Sequence, residues 1–313
     1  MSDLYDEPPA GPGPFRSGFV TVVGRPNVGK STLVNHLVGQ KVAIVSDKPQ
    51  TTRNRILAVV NRPGAQIILF DTPGIHKPMH AMNRRMVDAA TKSIGQGDVV
   101  LWMVDVGERY GPGDRFVRDL LKKSGLPVIL WVNKIDTMAK PKLLPVLQSW
   151  AAQLDFTEVV PISAKTGDNV GRLEQVLIRH LPEGPALYPE DFLTDQPERF
   201  FVAEMIRERI LHHTREEIPY ASGVIMESFQ EEEGLVRIQA AILVEREGQK
   251  GILIGKGGAM LKTIGTEARQ QIEGFLDSKV FLGLFVKVRE DWRDSEGILH
   301  EMGLGESGGS GSR

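Results

Sequence analysis

The sequence contains no cysteine, which excludes a disulfide framework and a thiolate zinc site. That suits a reducing compartment without establishing one. Long apolar runs are missing too: the longest, such as 99–104, fall far short of the roughly 20 residues a membrane-spanning helix needs. Residues 1–18 are acidic and rich in Pro and Gly, without the basic-then-apolar pattern of a signal peptide. Charge of one sign is also scarce. A net charge of −2 leaves no bulk positive field, so any nucleic-acid contact has to come from a local patch. No segment repeats.

What is present is enough chain, 313 residues, for about two domains of roughly 150 residues. Apolar residues at 41% and charged residues at 25% are those of a globular protein with a core. From 19 to 181, apolar runs at 19–23, 56–61, 66–70, 99–106, 128–132 and 159–162 alternate with helical patterns. Most runs are continuous rather than alternating, as in strands buried on both faces of a parallel sheet. The runs at 56–61 and 66–70 are separated only by Arg62-Pro63-Gly64-Ala65, which predicts one antiparallel hairpin. The first domain is therefore α/β, with a mostly parallel six-stranded sheet at residues 18–181. The proline-bearing segment 182–197 reads as a linker. Residues 198–303 change character and predict an α+β unit in the order α-β-β-α-α-β. Its first helix, 200–216, looks amphipathic, with Val202, Met205, Ile206 and Ile210 on one side. Residues 1–17 and 304–313 read as disordered tails.

Gly24-Arg25-Pro26-Asn27-Val28-Gly29-Lys30-Ser31 matches GxxxxGK[ST], after a strand and before an apolar-periodic helix continuing with Thr32. Glycines let backbone N–H groups turn inward around phosphates, and the helix N-terminus favours negative charge. Lys30 would reach the β- and γ-phosphates, and the Ser31 hydroxyl would ligate Mg²⁺. Asp71-Thr72-Pro73-Gly74-Ile75 follows a strand end, where ligands bind in open α/β sheets. Asp71 is placed to hold Mg²⁺ through water, and the Gly74 amide to sense the γ-phosphate. Thr51-Thr52-Arg53 lies in a loop able to reach the metal, and one threonine should ligate it when the γ-phosphate is present. Thr52 is favoured, although spacing does not separate it from Thr51. Together Thr51, Thr52 and Asp71–Ile75 read as the switch segments.

Asn133-Lys134-Ile135-Asp136 closes another strand. Asp136 can accept from guanine N1–H and the 2-amino group, whereas adenine would turn a lone pair toward it. The Lys134 stem can lie along the base while Asn133 braces neighbouring loops. Ser163-Ala164-Lys165 follows the next strand, where a main-chain N–H can donate to guanine O6. These four elements, in order at strand ends, point to GTP and GDP rather than ATP. A glutamine that orients the attacking water is lacking. Ile75 cannot do so, and His76 would point away if Ile75 faces the nucleotide. Slow intrinsic hydrolysis follows, raised by a partner or by a cation at the phosphates.

In the second unit, Gly255-Lys256-Gly257-Gly258 is a GxxG loop, which in KH domains clamps about four nucleotides of single-stranded backbone. Lys250, Lys256, Lys262 and Arg269 outnumber the acid Glu267 there, so the face reads as basic.

These residues resemble the Era family of bacterial GTPases, which end in a type II KH domain. The likeness covers nearly all of 18–304 and rests on the motifs above, on Gln50-Thr51-Thr52-Arg53, on 250–273 and on the closing Val286-Lys287-Val288-Arg289-Glu290-Asp291-Trp292-Arg293. The resemblance implies binding to the 3′ end of small-subunit (16S) ribosomal RNA and a role in maturing the 30S subunit. It also implies a cytoplasmic location with some peripheral membrane association, an apolar residue in place of the glutamine, and potassium beside Asn27. A monomer is expected. Two other readings stay open: a nucleotide-sensing RNA-binding module with negligible turnover, and a membrane or cell-cycle GTPase whose KH-like domain binds protein.

Overall fold

The computed structural model describes residues 13–75 and 80–304. The first domain runs β1 (Arg16–Gly24), α1 (Lys30–Val38), β2 (Ile56–Arg62), β3 (Ala65–Asp71), α2 (Ala81–Ile94), β4 (Val99–Asp105), α3 (Pro112–Ser124), β5 (Val128–Asn133), α4 (Lys140–Ala151), β6 (Glu158–Pro161) and α5 (Val170–His180). The six strands lie in the order β2-β3-β1-β4-β5-β6. Only β2 and β3 are antiparallel, joined by the turn at Pro63-Gly64. The continuous apolar runs have a simple cause, because both faces are covered. Val99, Leu101 and Met103 of β4 join one apolar cluster with Leu33 and Leu37 of α1 and Leu173 of α5. Val100, Trp102 and Val104 join another, with Ala90 of α2, Val117 of α3 and Trp150 of α4.

Two boundaries differ from expectation. Arg16 and Ser17, assigned to a disordered tail, are strand residues. Arg16 pairs in register with Ala65, and its guanidinium donates to Leu181 O at 2.7 Å. Segment 182–197 is not a free linker either. Buried Gln66 accepts the N–H groups of Leu187 (2.7 Å) and Tyr188 (2.9 Å), and Val59 N–H donates to Leu193 O at 2.8 Å. Tyr188 and Phe192, stacked at 4.7 Å, pack on the cluster of Leu57, Val59, Ile68 and Phe70. The segment therefore covers the outer face of the β2–β3 hairpin and fixes where the second domain begins.

That domain runs α6 (Glu198–His213), α7 (Ile218–Ala221), β7 (Gly223–Glu232), β8 (Leu235–Val244), α8 (Glu247–Ile254), α9 (Ala259–Leu276), β9 (Lys279–Val288) and α10 (Glu296–Leu299). Its sheet order is β7-β8-β9, with β7/β8 antiparallel and β8/β9 parallel. The α-β-β-α-α-β order is present, with α7 added where a strand was expected to begin at Ala221. Pro219 in the first turn of α7 is the local signal for it. The helix α6 is not amphipathic in the expected sense. Phe201, Val202, Met205, Arg207, Glu208 and Leu211 are all buried, because the helix is enclosed between the two domains. Leu304, assigned to a tail, is buried with Met82 and Met86 of α2, Trp292 and Leu299. No helix among the described residues is long and apolar enough to cross a membrane.

Candidate functional site

At the carboxyl edge of the first sheet, a cavity of about 690 Å³ opens. It is lined by Asn27, Gly29, Lys30, Ser31, Thr32, Thr51, Thr52, Gly74, Asn133, Lys134, Asp136, Ala164 and Lys165 among the expected residues. The loop from β1 to α1 shapes its floor. Gly29 has φ +104° and sits against the Asn133 amide, so a side chain there meets both strain and a clash. Val28 contributes main chain only: its side chain is in the core and its carbonyl accepts Asn133 Nδ2 at 2.7 Å. Gly24, Asp71, Thr72, Pro73, Ile75 and Ser163 stand behind this lining.

Lys30 is buried, and its ammonium donates to the carbonyls of Arg25 (3.0 Å) and Gly24 (3.3 Å). Burial lowers its pKa to about 8, against the pull of Asp71, which raises it. Beside it, Ser31 Oγ donates to Asp71 Oδ2 at 2.7 Å and lies 2.7 Å from Thr52 Oγ1. One hydroxyl has one proton, so with Ser31 donating to Asp71, Thr52 donates to Ser31. Burial pushes the Asp71 carboxyl up, while Lys30, Ser31 and Thr52 oppose it. Asp71 Oδ1 is buried with no partner among the described residues. Two hydroxyls and a carboxylate with one unpaired buried oxygen are the hard donors a magnesium ion takes, part of its shell being water. The residues fit that ion. Thr51 is turned away, its hydroxyl donating to Lys48 O at 2.6 Å.

The segment 71–75 is held from behind. Thr72 Oγ1 donates to Val22 O at 2.6 Å, and a Cβ on Gly74 would lie 2.7 Å from Pro26 N, which explains glycine there. Ile75 is buried in the apolar cluster that holds Val23, Ala90 and Trp102, and its N–H donates to Gly24 O at 3.1 Å. The condition on which His76 would point away, an Ile75 side chain facing the nucleotide, is therefore not met, and His76 itself lies outside the described residues.

At the far end of the cavity, Asn133 is buried and braces two loops, donating to Val28 O and accepting Ala164 N–H at 2.9 Å. Ser163 Oγ donates to Asp136 Oδ1 at 2.6 Å, which sets the carboxylate's plane. Lys134, with φ +64°, forms an ion pair with Asp105 Oδ2 at 2.7 Å. Asp105 was not anticipated, and neither were Ile44 to Asp47, which line the cavity with Gln50 of the Gln50–Arg53 motif. A strand-end carboxylate was the only signal for Asp105, and the other four lie in a loop without a motif.

In the second domain, Gly255-Lys256-Gly257-Gly258 links α8 to the 18-residue helix α9. Gly257 and Gly258 have φ +60° and +82° with open space around them, so the conformation itself calls for glycine. The N-cap of α9 is Gly258, so no side chain caps this helix end, and the Ala259 N–H turns back to Lys256 O. The basic face is smaller than expected. Lys250 is 3.8 Å from Glu247, and Arg269 pairs with Glu273 at 2.7 Å, two acids left out of the earlier balance. Glu267 turns instead toward His213 and Arg209 of α6. Lys256 and Lys262 are exposed and make no ion pair among the described residues.

Similarity to known proteins agrees with both halves. A family model described as 50S ribosome-binding GTPase matches residues 19–134, and one described as KH domain matches 217–293. The GTPase Era of Heliobacterium modesticaldum is 50% identical over 293 residues, covering 93% of this chain and 98% of that protein. That of Geotalea uraniireducens is 52% identical over 290 residues, covering 92% and 98%. The chain belongs to the Era family of GTPases. Two solved Era structures superpose with TM-scores of 0.90 at 41% identity, each over 93% of this chain. One holds MgGDPNP and nucleotides 1506–1542 of 16S ribosomal RNA, over 99% of that protein. The other, a variant from Aquifex aeolicus, holds GDP and aluminium fluoride, over 100%.

In this Era-family chain the nucleotide loop is also part of the domain boundary. Arg207 of α6 donates to Thr51 O, and Arg53 donates to Ser222 O (2.8 Å) and Pro219 O (3.2 Å). Burial and neighbouring Arg207 lower the Arg53 pKa to about 9. Glu208 accepts Lys41 Nζ at 2.5 Å and Val45 N–H at 3.0 Å. Burial would raise its carboxyl, yet these donors and Gln271 hold it below the usual carboxylate range.

Proposed function

We propose that this GTPase is a switch that takes GTP with magnesium in the cavity and binds the 3′ end of 16S ribosomal RNA through its KH domain. The observation that carries the nucleotide half is the meeting of Ser31, Thr52 and Asp71 beside buried Lys30. Lys30 and the amides of the loop from Gly24 to Ser31, with Thr32 and Gly74, hold the phosphates in line. Magnesium on Ser31, Thr52 and, through water, Asp71 neutralises charge developing between the β- and γ-phosphates. Asp136 reads guanine N1–H and the 2-amino group, and the Lys165 N–H is the O6 donor, since Ala164 N–H is engaged by Asn133. Asn27 Nδ2 donates to Asp47 O at 2.5 Å, so its Oδ1 could hold a potassium ion, which would supply the charge in place of the absent glutamine.

The RNA half rests on the exposed Lys256 and Lys262, the Gly255–Gly258 turn and the α9 N-terminus, which no side chain caps, with Lys250 at the margin. Phosphates approach the glycines closely, and the bases lie beyond. Because Thr51 to Arg53 touch both the metal residues and the second domain, nucleotide state and RNA affinity are coupled. On this reading the chain acts in 30S subunit maturation. Peripheral membrane contact and a monomeric state complete the proposal, tested by vesicle flotation and light scattering.

The deciding experiment measures turnover with potassium or sodium, with and without RNA ending in the 16S 3′ sequence. Stimulation by both is expected. Turnover indifferent to RNA, or RNA affinity equal in the GTP, GDP and empty states, overturns the coupling. Negligible turnover under every condition would favour a nucleotide-sensing module.

A further inference from the structure

The residue whose hydroxyl meets Ser31 and Asp71 is held on both sides by the second domain. On the N-terminal side, Thr51 O accepts from Arg207, a residue 1% exposed whose Nε and Nη2 are fixed by Glu204 at 2.7 and 2.6 Å. The Thr51 carbonyl and the Thr52 N–H share one rigid peptide plane, so fixing the first orients the second. On the C-terminal side, the Arg53 guanidinium donates to Ser222 O and Pro219 O and lies 5.9 Å over the Trp292 ring. Between these anchors, Thr52 Oγ1 lies 2.7 Å from Ser31 Oγ. Nothing in the first domain makes an equivalent bond to the Thr51 carbonyl among the described residues.

We propose that Arg207, a side chain of the KH domain, is a positioning residue of the nucleotide site: it sets the Thr51–Thr52 peptide so that Thr52 reaches the metal. The inference rests on the reading of Ser31, Thr52 and Asp71 as the magnesium residues. It makes the nucleotide site incomplete without the second domain in place. Anything that moves α6 then changes the magnesium requirement of GTP binding, and by linkage magnesium·GTP holds α6 in place.

The test uses the full chain and equilibrium binding of a non-hydrolysable GTP analogue and of GDP across a magnesium titration. Arg207→Gln should raise the magnesium concentration for half-maximal analogue binding about tenfold, the scale of one lost charge-assisted hydrogen bond. GDP affinity should stay within about twofold, since the threonine acts where the γ-phosphate is. Arg207→Lys, which keeps a donor for Thr51 O, should shift the requirement less, about threefold. Arg85→Gln breaks the Arg85–Glu296 pair at the same domain boundary, where Arg85 makes no bond to Thr51, Thr52 or Arg53, and should leave the requirement unchanged.

An unshifted requirement in Arg207→Gln overturns the proposal, as does an equal shift in Arg85→Gln. If the glutamine variant does not fold, the lysine variant decides by the same criterion. A wild-type chain that binds the analogue without magnesium overturns the underlying reading of the pocket, and the positioning role with it. A magnesium-dependent wild type with an unshifted variant overturns the positioning role alone.

Discussion

The nucleotide cavity and the GxxG loop are both proposed to hold phosphates, but they are built in opposite ways. Around the cavity, nearly every polar group already has a partner: Asn133 joins two loops, Ser163 aligns Asp136, and Ser31 bonds Asp71. Around the GxxG loop Gly257 and Gly258 face open space, and Lys256 and Lys262 are exposed. The first site is preorganised, as recognition of one base and transfer of one phosphoryl group require. The second offers a turn and a helix end that a flexible strand can lie against, as backbone recognition requires. Substitutions in the first should therefore change which ligand binds, and substitutions in the second how strongly.

The largest expected effect is at Asp136. Asp136→Asn removes two charge-assisted hydrogen bonds to guanine and should lower GTP affinity roughly a thousandfold while favouring xanthosine triphosphate. Competition binding of the two nucleotides checks this, and retained GTP preference would break the assigned pairing. Gly257→Asp comes next. It places a Cβ at φ +60° and a carboxylate beside the RNA phosphates, and should weaken RNA binding by about tenfold or more. Nucleotide affinity, read in parallel, should not change. If it does, the two sites are less separate than the contrast holds.

A pH series sharpens the comparison from the buried side. The phosphates bind the charged form of Lys30, whose pKa before binding is about 8. Nucleotide affinity should be level below pH 8 and fall as pH rises above it, about tenfold by pH 9. Lys30→Arg, which keeps its charge, should flatten that slope. The smallest effect belongs to the open side. Lys262→Gln should lower RNA affinity severalfold and reduce the salt dependence by about one counterion, whatever the RNA sequence.

The motifs were legible because each concentrates its chemistry in adjacent residues. Gly24 to Ser31, Asp71 to Gly74 and Asn133 to Asp136 sit at strand ends, so a parallel sheet necessarily brings them to one edge. The facing of Ile75 was left open because position along a loop says nothing about it, and burial in the cluster of Val23, Ala90 and Trp102 decided it. The tail boundaries failed for a related reason: Arg16 and Leu304 are ordered by bonds to residues far away in the chain. The basic character of the GxxG face was overestimated because Glu247 and Glu273 pair with cations on their own helices.

What the sequence determined alone was the alternation of elements that makes each domain, and within it the local motifs: a GxxxxGK[ST] loop, a strand-end carboxylate at Asp136 and a glycine turn between helices. Spacing along the chain suffices for those, because hydrogen bonds and backbone torsions act within a few residues. The tertiary structure alone decided that α6 is enclosed between the two domains, that segment 182–197 is strapped to the β2–β3 hairpin, and that Arg207 reaches Thr51. Contacts between residues more than a hundred positions apart leave no periodicity to read, and only the packing of two domains against each other brings them within bonding distance.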